Sequence, residues 1–427
     1  MLHKIIGKYR EKPFFKDSFW AVFGNGTGNF LLLMAGIAIA RLLGKDIYGE
    51  YGMVKTTMFH IAAFSSFGLS YTSTKFIAEY INKDSSCLKA IVSASINIAL
   101  VSSLLLSLLM FYYADLLADF IYAPQLMMAF RYLSVITVLR ALSTVGGGVL
   151  AGFKNFKSLG VNNILSGLIM LFLAIPATYF CGLQGSLFSL CVSQFILAFL
   201  NVFKVYHIVV SLKNQSKQRF YRRLFTFSIP VELQELSYTI CNWGASLLIT
   251  RYASLGELGI YTACSQWFAI VLFLPSLLQN VVLSYLFGAV GDKIANMNMF
   301  RRMLQVNFVC AIIPFSVVTL ASSLITTFYG ETFVDMQSAL VILIFATIPA
   351  TLSNVYVANL LANSKNWTLF ALRVSRDAIT IVSLYFILLD SKGENAAYSY
   401  ALLNVIVSIL FLGGLFIISK YKHRIAS

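Results

Sequence analysis

Residues 40–52 read ARLLGKDIYGEYG, and residues 248–263 read LITRYASLGELGIYTA. Both carry Arg-x7-Gly-x-Tyr, first as Arg41, Gly49 and Tyr51 and then, 210 positions later, as Arg251, Gly259 and Tyr261. A second block agrees: Leu150-Ala151-x-x-Lys154-Asn155-Phe156 recurs as Leu361-Ala362-x-x-Lys365-Asn366-Trp367 at an offset of 211. At that same offset Gly182-Leu-Gln-Gly185 falls on Gly393-Glu-Asn-Ala396. Separate blocks that agree within one residue across the chain mark an internal duplication.

Composition identifies what is duplicated. The 427 residues are 59% apolar, 15% aromatic and 11% charged, where a soluble domain runs at about 45–50% apolar and about 25% charged. Phe (36) and Tyr (22) outnumber Asp and Glu together (17), so a water-facing surface cannot be covered. Apolar runs such as 101–113 and 405–418 are nearly continuous, unlike the alternating strands of an outer-membrane barrel. A crossing takes about 20 residues, and spans are predicted near 18–42, 50–73, 90–112, 126–150, 161–181 and 185–208. They resume near 227–250, 259–285, 303–326, 337–361, 368–389 and 396–419. The expected fold is an all-α integral membrane protein with about twelve transmembrane helices. They form two six-helix parallel repeats around a central cleft. The lobes are 1–208 and 227–427, joined by the basic linker 209–226. No polar stretch is long enough for a soluble receptor, nucleotide-binding or enzyme domain.

The net charge of +15 is a matter of orientation rather than of nucleic acid. Of the 32 basic residues, 25 fall on one side of the predicted spans. By the positive-inside rule both termini and the linker are cytoplasmic. The start, with Lys4, Lys8, Arg10, Lys12 and Lys16, reads as an amphipathic lead-in and not a signal peptide. Of the six cysteines only Cys87 falls in a loop, and no CxxC occurs. The thiols read as small apolar residues, with no metal or other cofactor expected.

The blocks ARLLGKDIYGEYG, FGLSYTSTKFIAEY, LAGFKNF, GLQGS and LITRYASLGELGIYTA resemble those of bacterial Wzx-type polysaccharide flippases. These belong to the multidrug/oligosaccharidyl-lipid/polysaccharide exporter superfamily. The resemblance covers essentially the whole chain, and the order of the blocks carries it more than any one of them. It implies a transporter, not an enzyme. Undecaprenyl-diphosphate-linked repeat units would cross the bacterial inner membrane by alternating access, for O-antigen or capsule assembly. The implied partners are the lipid-linked oligosaccharide and membrane lipids, with the polysaccharide polymerase and chain-length machinery nearby and no nucleic acid. Lipid II flippases of the superfamily usually carry two further spans, which makes that assignment the weaker one.

Charged groups inside spans cost about 2.5–3.5 kcal/mol each on insertion scales and normally face a cavity or a partner. A diphosphate calls for basic groups, and guanidinium offers it bidentate bonds. Arg140 is deep in the fourth span, nine residues and about half a turn around the helix from Arg131, which can snorkel. Lys55 is a second candidate; His60, about 140° away, reads as a packing residue. Arg373 and Asp377, with Arg376 beside them, form either a static ion pair or a second basic contact. In the seventh span Ser228, Glu235, Thr239, Asn242 and Ser246 share a narrow arc, and 210 positions earlier Ser18, Asn25 and Asn29 share another. These arcs either line one shared cavity or bond within their own bundles. Asn25, Asn29 and Asn242, with Tyr238 and Trp243, suit sugars. Glu235, Glu232 and Asp377 are the carboxylates available for ion coupling, with snorkelling the alternative for Glu232. Gly24–Gly28 sits in an apolar span with no preceding strand and reads as a helix contact rather than a nucleotide loop. Gly146–Gly148 reads similarly, or as a flexible point.

Two rivals remain at this level. A cation-coupled multidrug exporter of the same superfamily would favour an acidic cavity, whereas the deep charges here lean basic. A polysaccharide polymerase needs a large outward loop, and the loops at 113–125 and 327–336 are short. The topology itself is testable: Ser216→Cys should resist a membrane-impermeant thiol reagent added to intact cells. Ready labelling would overturn the span count.

Overall fold

A helix of 42 residues is too long to cross a bilayer once. At about 1.5 Å per residue it would run about 63 Å, against a hydrocarbon core of about 30 Å. The computed structural model describes residues 20–83, 85–212, 220–288, 293–362 and 366–425, and its α1 (Asn25–Ser66) has that length. It breaks at Gly44, whose φ of 75° and ψ of 168° are non-helical. The chain continues as α2 (Leu69–Lys83), α3 (Leu88–Tyr112), the short α4 (Ala114–Phe120), α5 (Met127–Gly152) and α6 (Phe156–Val210). The last is 55 residues long and breaks at Gly182, with φ 55° and ψ −134°.

The second half repeats this order. α7 (Tyr221–Tyr252) stands for the first leg of α1, and α8 (Leu255–Gly288) for its second leg with α2. α9 (Lys293–Leu320) and the short α10 (Ser322–Tyr329) match α3 and α4. α11 (Met336–Phe345) and α12 (Thr347–Ala362) together match α5, while α13 (Asn366–Asp390) and α14 (Ala396–Ile425) match the two legs of α6. Counted as legs, these make the twelve expected crossings in two repeats, and no strand occurs among the described residues. Among the described residues seven helical segments are long and apolar enough to cross a membrane, with α11 and α12 counting as one. The duplication also holds in the backbone: Gly182 and Gly393, equivalent at the 211 offset, both have positive φ, 55° and 79°. Only glycine takes that conformation without strain, which explains why the turn residue recurs.

Two expectations change in detail. The span predicted at 50–73 is broken at Phe67, which caps α1 in a left-handed conformation, and the span at 337–361 is broken at Ala346. The repeated spacing in LAGFKNF is a helix stop: Lys154 takes φ 54°, while the Asn155 N–H donates to Leu150 O at 2.8 Å and the Lys154 N–H to Ala151 O at 2.8 Å. That is the Schellman pattern, which satisfies the orphan carbonyls of a helix end.

By contacts the chain divides into two compact units, Met1–Leu42 with Glu50–Leu236, and Leu43–Gly49 with Ser237–Ser427. In the first unit α5 packs against α2, α3 and α6. Its core joins Leu88, Ile91, Val145, Val149 and Leu150 to Leu212, Phe220 and Leu224. Gly148 lies against the Ser70 backbone, where a Cβ would come within 2.3 Å, and Gly24 lies as close to Gly160. The glycines of α5 are therefore contact points in an unbroken helix rather than a hinge. In the second unit α8 packs against α9, α11, α12 and α14.

The residues 43–49 belong to that second unit, and there the repeated motif explains itself. A Cβ on Gly49 would lie 1.8 Å from Leu255 O, and one on Gly259 would lie 2.1 Å from Lys45 O. The two equivalent glycines thus meet backbone to backbone, beside the fully buried Tyr48, whose ring sits edge-on to Phe333 at 6.0 Å. Alanine at either glycine should destabilise the purified protein by about 1–3 kcal/mol, read as a lower thermal midpoint. Gly413→Ala, which adds a methyl to open space inside α14, should hold the midpoint or raise it slightly, since alanine suits a helix interior better than glycine.

Candidate functional site

Tyr51, Lys55 and Phe59 follow one another at four-residue intervals along α1, so their side chains share a face. The Lys55 ammonium lies 5.7 Å from the centre of the Tyr51 ring. One turn on, the Arg140 guanidinium from α5 stacks on Phe59 at 4.6 Å, which brings the two cations into electrostatic range of each other. Arg140 Nη1 also reaches Gln194 Oε1 on α6, a long contact at 3.5 Å. Lys55 and Arg140 each keep part of their surface open although protein surrounds them densely. Both side chains are therefore half-buried rather than sealed in a core. Among the described residues no carboxylate pairs with either of them.

The sequence separates Lys55 and Arg140 by 85 positions, and the fold makes them one site. Phe59 and Gln194 were not anticipated. Gln194 had a signal, being a lone amide in the apolar run FSLCVSQFILAFL. Arg131 points elsewhere, towards Phe111 at 5.8 Å, and its Nε is buried with no hydrogen bond among the described residues.

The second unit resolves its charges differently. Arg376 donates from Nε and Nη2 to Asp377 Oδ1 at 2.9 and 2.6 Å. The other carboxylate oxygen accepts from Ser237 Oγ at 2.8 Å, and Cys241 Sγ donates to the Asp377 backbone carbonyl at 3.4 Å. The guanidinium also lies 5.1 Å from the Phe411 ring and 6.0 Å from Tyr238. Asp377 therefore pairs with its neighbour Arg376, and the Arg376 charge is compensated inside the protein. Arg373, one turn earlier on α13, is partly buried.

The amides divide. Asn25 Oδ1 accepts from Asn163 Nδ2 within the first unit, Asn29 is exposed, and Asn242 Nδ2 donates to Tyr238 O on its own helix at 2.8 Å. Ser228 and Thr72 share a buried hydroxyl–hydroxyl bond of 2.8 Å, and Ser246 bonds back to Asn242 O at 3.1 Å. The polar arc on α7 thus has bonds inside its own surroundings at several positions. The side chains of Glu232 and Glu235 lie outside the described residues.

The family described as "Polysaccharide biosynthesis protein" matches residues 38–338. The chain belongs to this family. Its fold is shared with solved transporters of the multidrug/oligosaccharidyl-lipid/polysaccharide (MOP) superfamily. A multidrug resistance MATE family transporter in an inward-facing conformation matches with a TM-score of 0.78 at 16% identity, covering 92% of this chain and 96% of its own. A MOP superfamily transporter from Pyrococcus furiosus matches at 0.69 and 15% identity, covering 99% and 97%. No curated protein matches by sequence. A family member with helices this long and apolar is a multi-pass membrane protein.

Removing one partner of a buried ion pair strands the other charge, at a cost of roughly 3–5 kcal/mol. Asp377→Asn should accordingly lower the thermal midpoint of the purified protein, whereas the double change Arg376→Met with Asp377→Leu should recover most of it. Equal loss in both variants would mean that the pair is not what holds this part of α13.

Proposed function

We propose that the chain is a flippase carrying undecaprenyl-diphosphate-linked oligosaccharide repeat units from the cytoplasmic to the periplasmic face of the bacterial inner membrane, by alternating access. The observation that carries this reading is the Lys55–Arg140 site. Two cations held side by side within a membrane unit repel each other and carry an insertion cost. Binding an anion offsets both; a diphosphate matches the pair in charge and suits the bidentate edge of guanidinium.

Membership of the polysaccharide biosynthesis family supports a cargo that bears sugars. The Pyrococcus furiosus relative adds support, because its binding pocket is described as reversed in polarity and linked to a different function within the superfamily. On this reading Arg373 is a further basic contact, and the exposed Asn29, with Asn25 and Asn242, supplies amide partners for sugar hydroxyls. With Asp377 compensated by Arg376, a role in ion coupling falls to Glu232 and Glu235. The excess of basic residues on one side supports cytoplasmic termini. The polymerase and chain-length machinery then receive the product on the far side.

Arg140→Ala should abolish surface polysaccharide in a complementation assay while leaving membrane abundance intact. Arg140→Lys should restore it only in part, since an ammonium keeps the charge and loses the bidentate edge. Normal export by Arg140→Ala would exclude this site from the transport path.

A further inference from the structure

Two half-buried arginines among the described residues stand in contrasting company. Arg376 meets a carboxylate at 2.6–2.9 Å, whereas Arg140 meets an amide at 3.5 Å. A carboxylate at position 194 would give Arg140 an ion pair of the kind seen at Asp377, cancelling its charge and taking up its bidentate edge. An amide leaves the charge uncancelled while still accepting one N–H. Guanidinium has five N–H donors in a fixed fork, so one contact to Gln194 leaves four for a ligand. The Phe59 ring covers one face of the same group at 4.6 Å, which confines the guanidinium to a plane.

The supports are themselves held. Gln194 is only 3% exposed, and its neighbour Ser193 bonds Ser166 on the other leg of α6 at 2.9 Å. The Arg140 carbonyl accepts from both Ser143 and Thr144, at 2.9 and 2.8 Å. Asn201 Nδ2 donates to Ser143 O at 3.0 Å, and Asn162 Nδ2 donates to Asn201 Oδ1 at 2.8 Å. This hydrogen-bonded chain ties α5 to α6 beside the arginine, so the side chain projects from a fixed backbone.

We propose that Gln194 and Phe59 are positioning residues for Arg140: together they aim its free N–H edge, with Lys55, at a diphosphate, and the neutral amide at 194 sets the site's preference for anions. The inference rests on the flippase reading above and deepens it. The test uses the full chain in lipid nanodiscs, with inorganic diphosphate as the probe and thermal stabilisation at constant ionic strength as the readout.

Wild type should be stabilised with saturation. Gln194→Glu should bind diphosphate about tenfold more weakly or worse, because the new carboxylate claims Arg140. Gln194→Leu and Phe59→Leu should each lose less, and Phe59→Trp should recover the loss, since indole is the best cation–π partner. A purely structural role predicts the reverse order, with the near-isosteric Glu tolerated and Leu damaging. Wild-type diphosphate affinity in Gln194→Glu would overturn the positioning role and leave the flippase reading standing. A wild type indifferent to diphosphate would remove the anion site and this inference with it.

Discussion

Hydrocarbon offers no hydrogen bonds, so each backbone N–H and C=O in the membrane needs a partner within the protein. Continuous helix is the local solution, and the rest of this structure follows from where helix must stop. The chain needs reversals without exposing polar backbone, and it places glycines of positive φ at Gly44, Gly182 and Gly393 for them. Where glycine is absent the helix end carries its own satisfaction, as in the Schellman turn at Leu150–Asn155. The duplication survives most clearly at these stops, because a helix interior tolerates many apolar residues and a stop tolerates few.

The same solvent removes the hydrophobic effect as a reason for helices to associate. Packing must then come from close approach and from polar contacts. Gly49 against Gly259, Gly148 against Ser70 and Gly24 against Gly160 bring backbones together at distances that forbid a side chain. Hydroxyls and amides fasten the helices further, as at Thr74 to Gly148 O (2.8 Å) and Asn162 to Asn201 (2.8 Å). Many of the chain's intramembrane polar residues serve this purpose, which is why polarity alone overstates the size of a binding site.

Charge separates structure from function more sharply. Arg376 and Asp377 neutralise each other next to Ser237, a self-contained arrangement that asks for no ligand. Lys55 and Arg140 add their charges instead, braced by Tyr51 and Phe59. Within one chain the guanidinium is kept in two ways: cancelled by a carboxylate at Arg376, or stacked on a ring beside a neutral amide at Arg140.

Membrane class, span number and the two repeats were legible in the sequence, because helix length is set by bilayer thickness and duplication preserves spacing. That Arg140 and Lys55 would need a partner or a cavity was legible too, since a charge in an apolar run is costly wherever it sits. Partners were not. Periodicity along one helix offered Arg373 for Asp377 at four residues, yet Arg376 made the pair, because its flexible side chain can fold back over a neighbouring carboxylate. Nor could any local pattern join Lys55 to Arg140 or bring Gln194 to Arg140, for those residues lie on different helices. Residue type and spacing determine which groups must be satisfied; only the packing of one helix on another decides what satisfies them, because that choice depends on distances the chain does not encode locally.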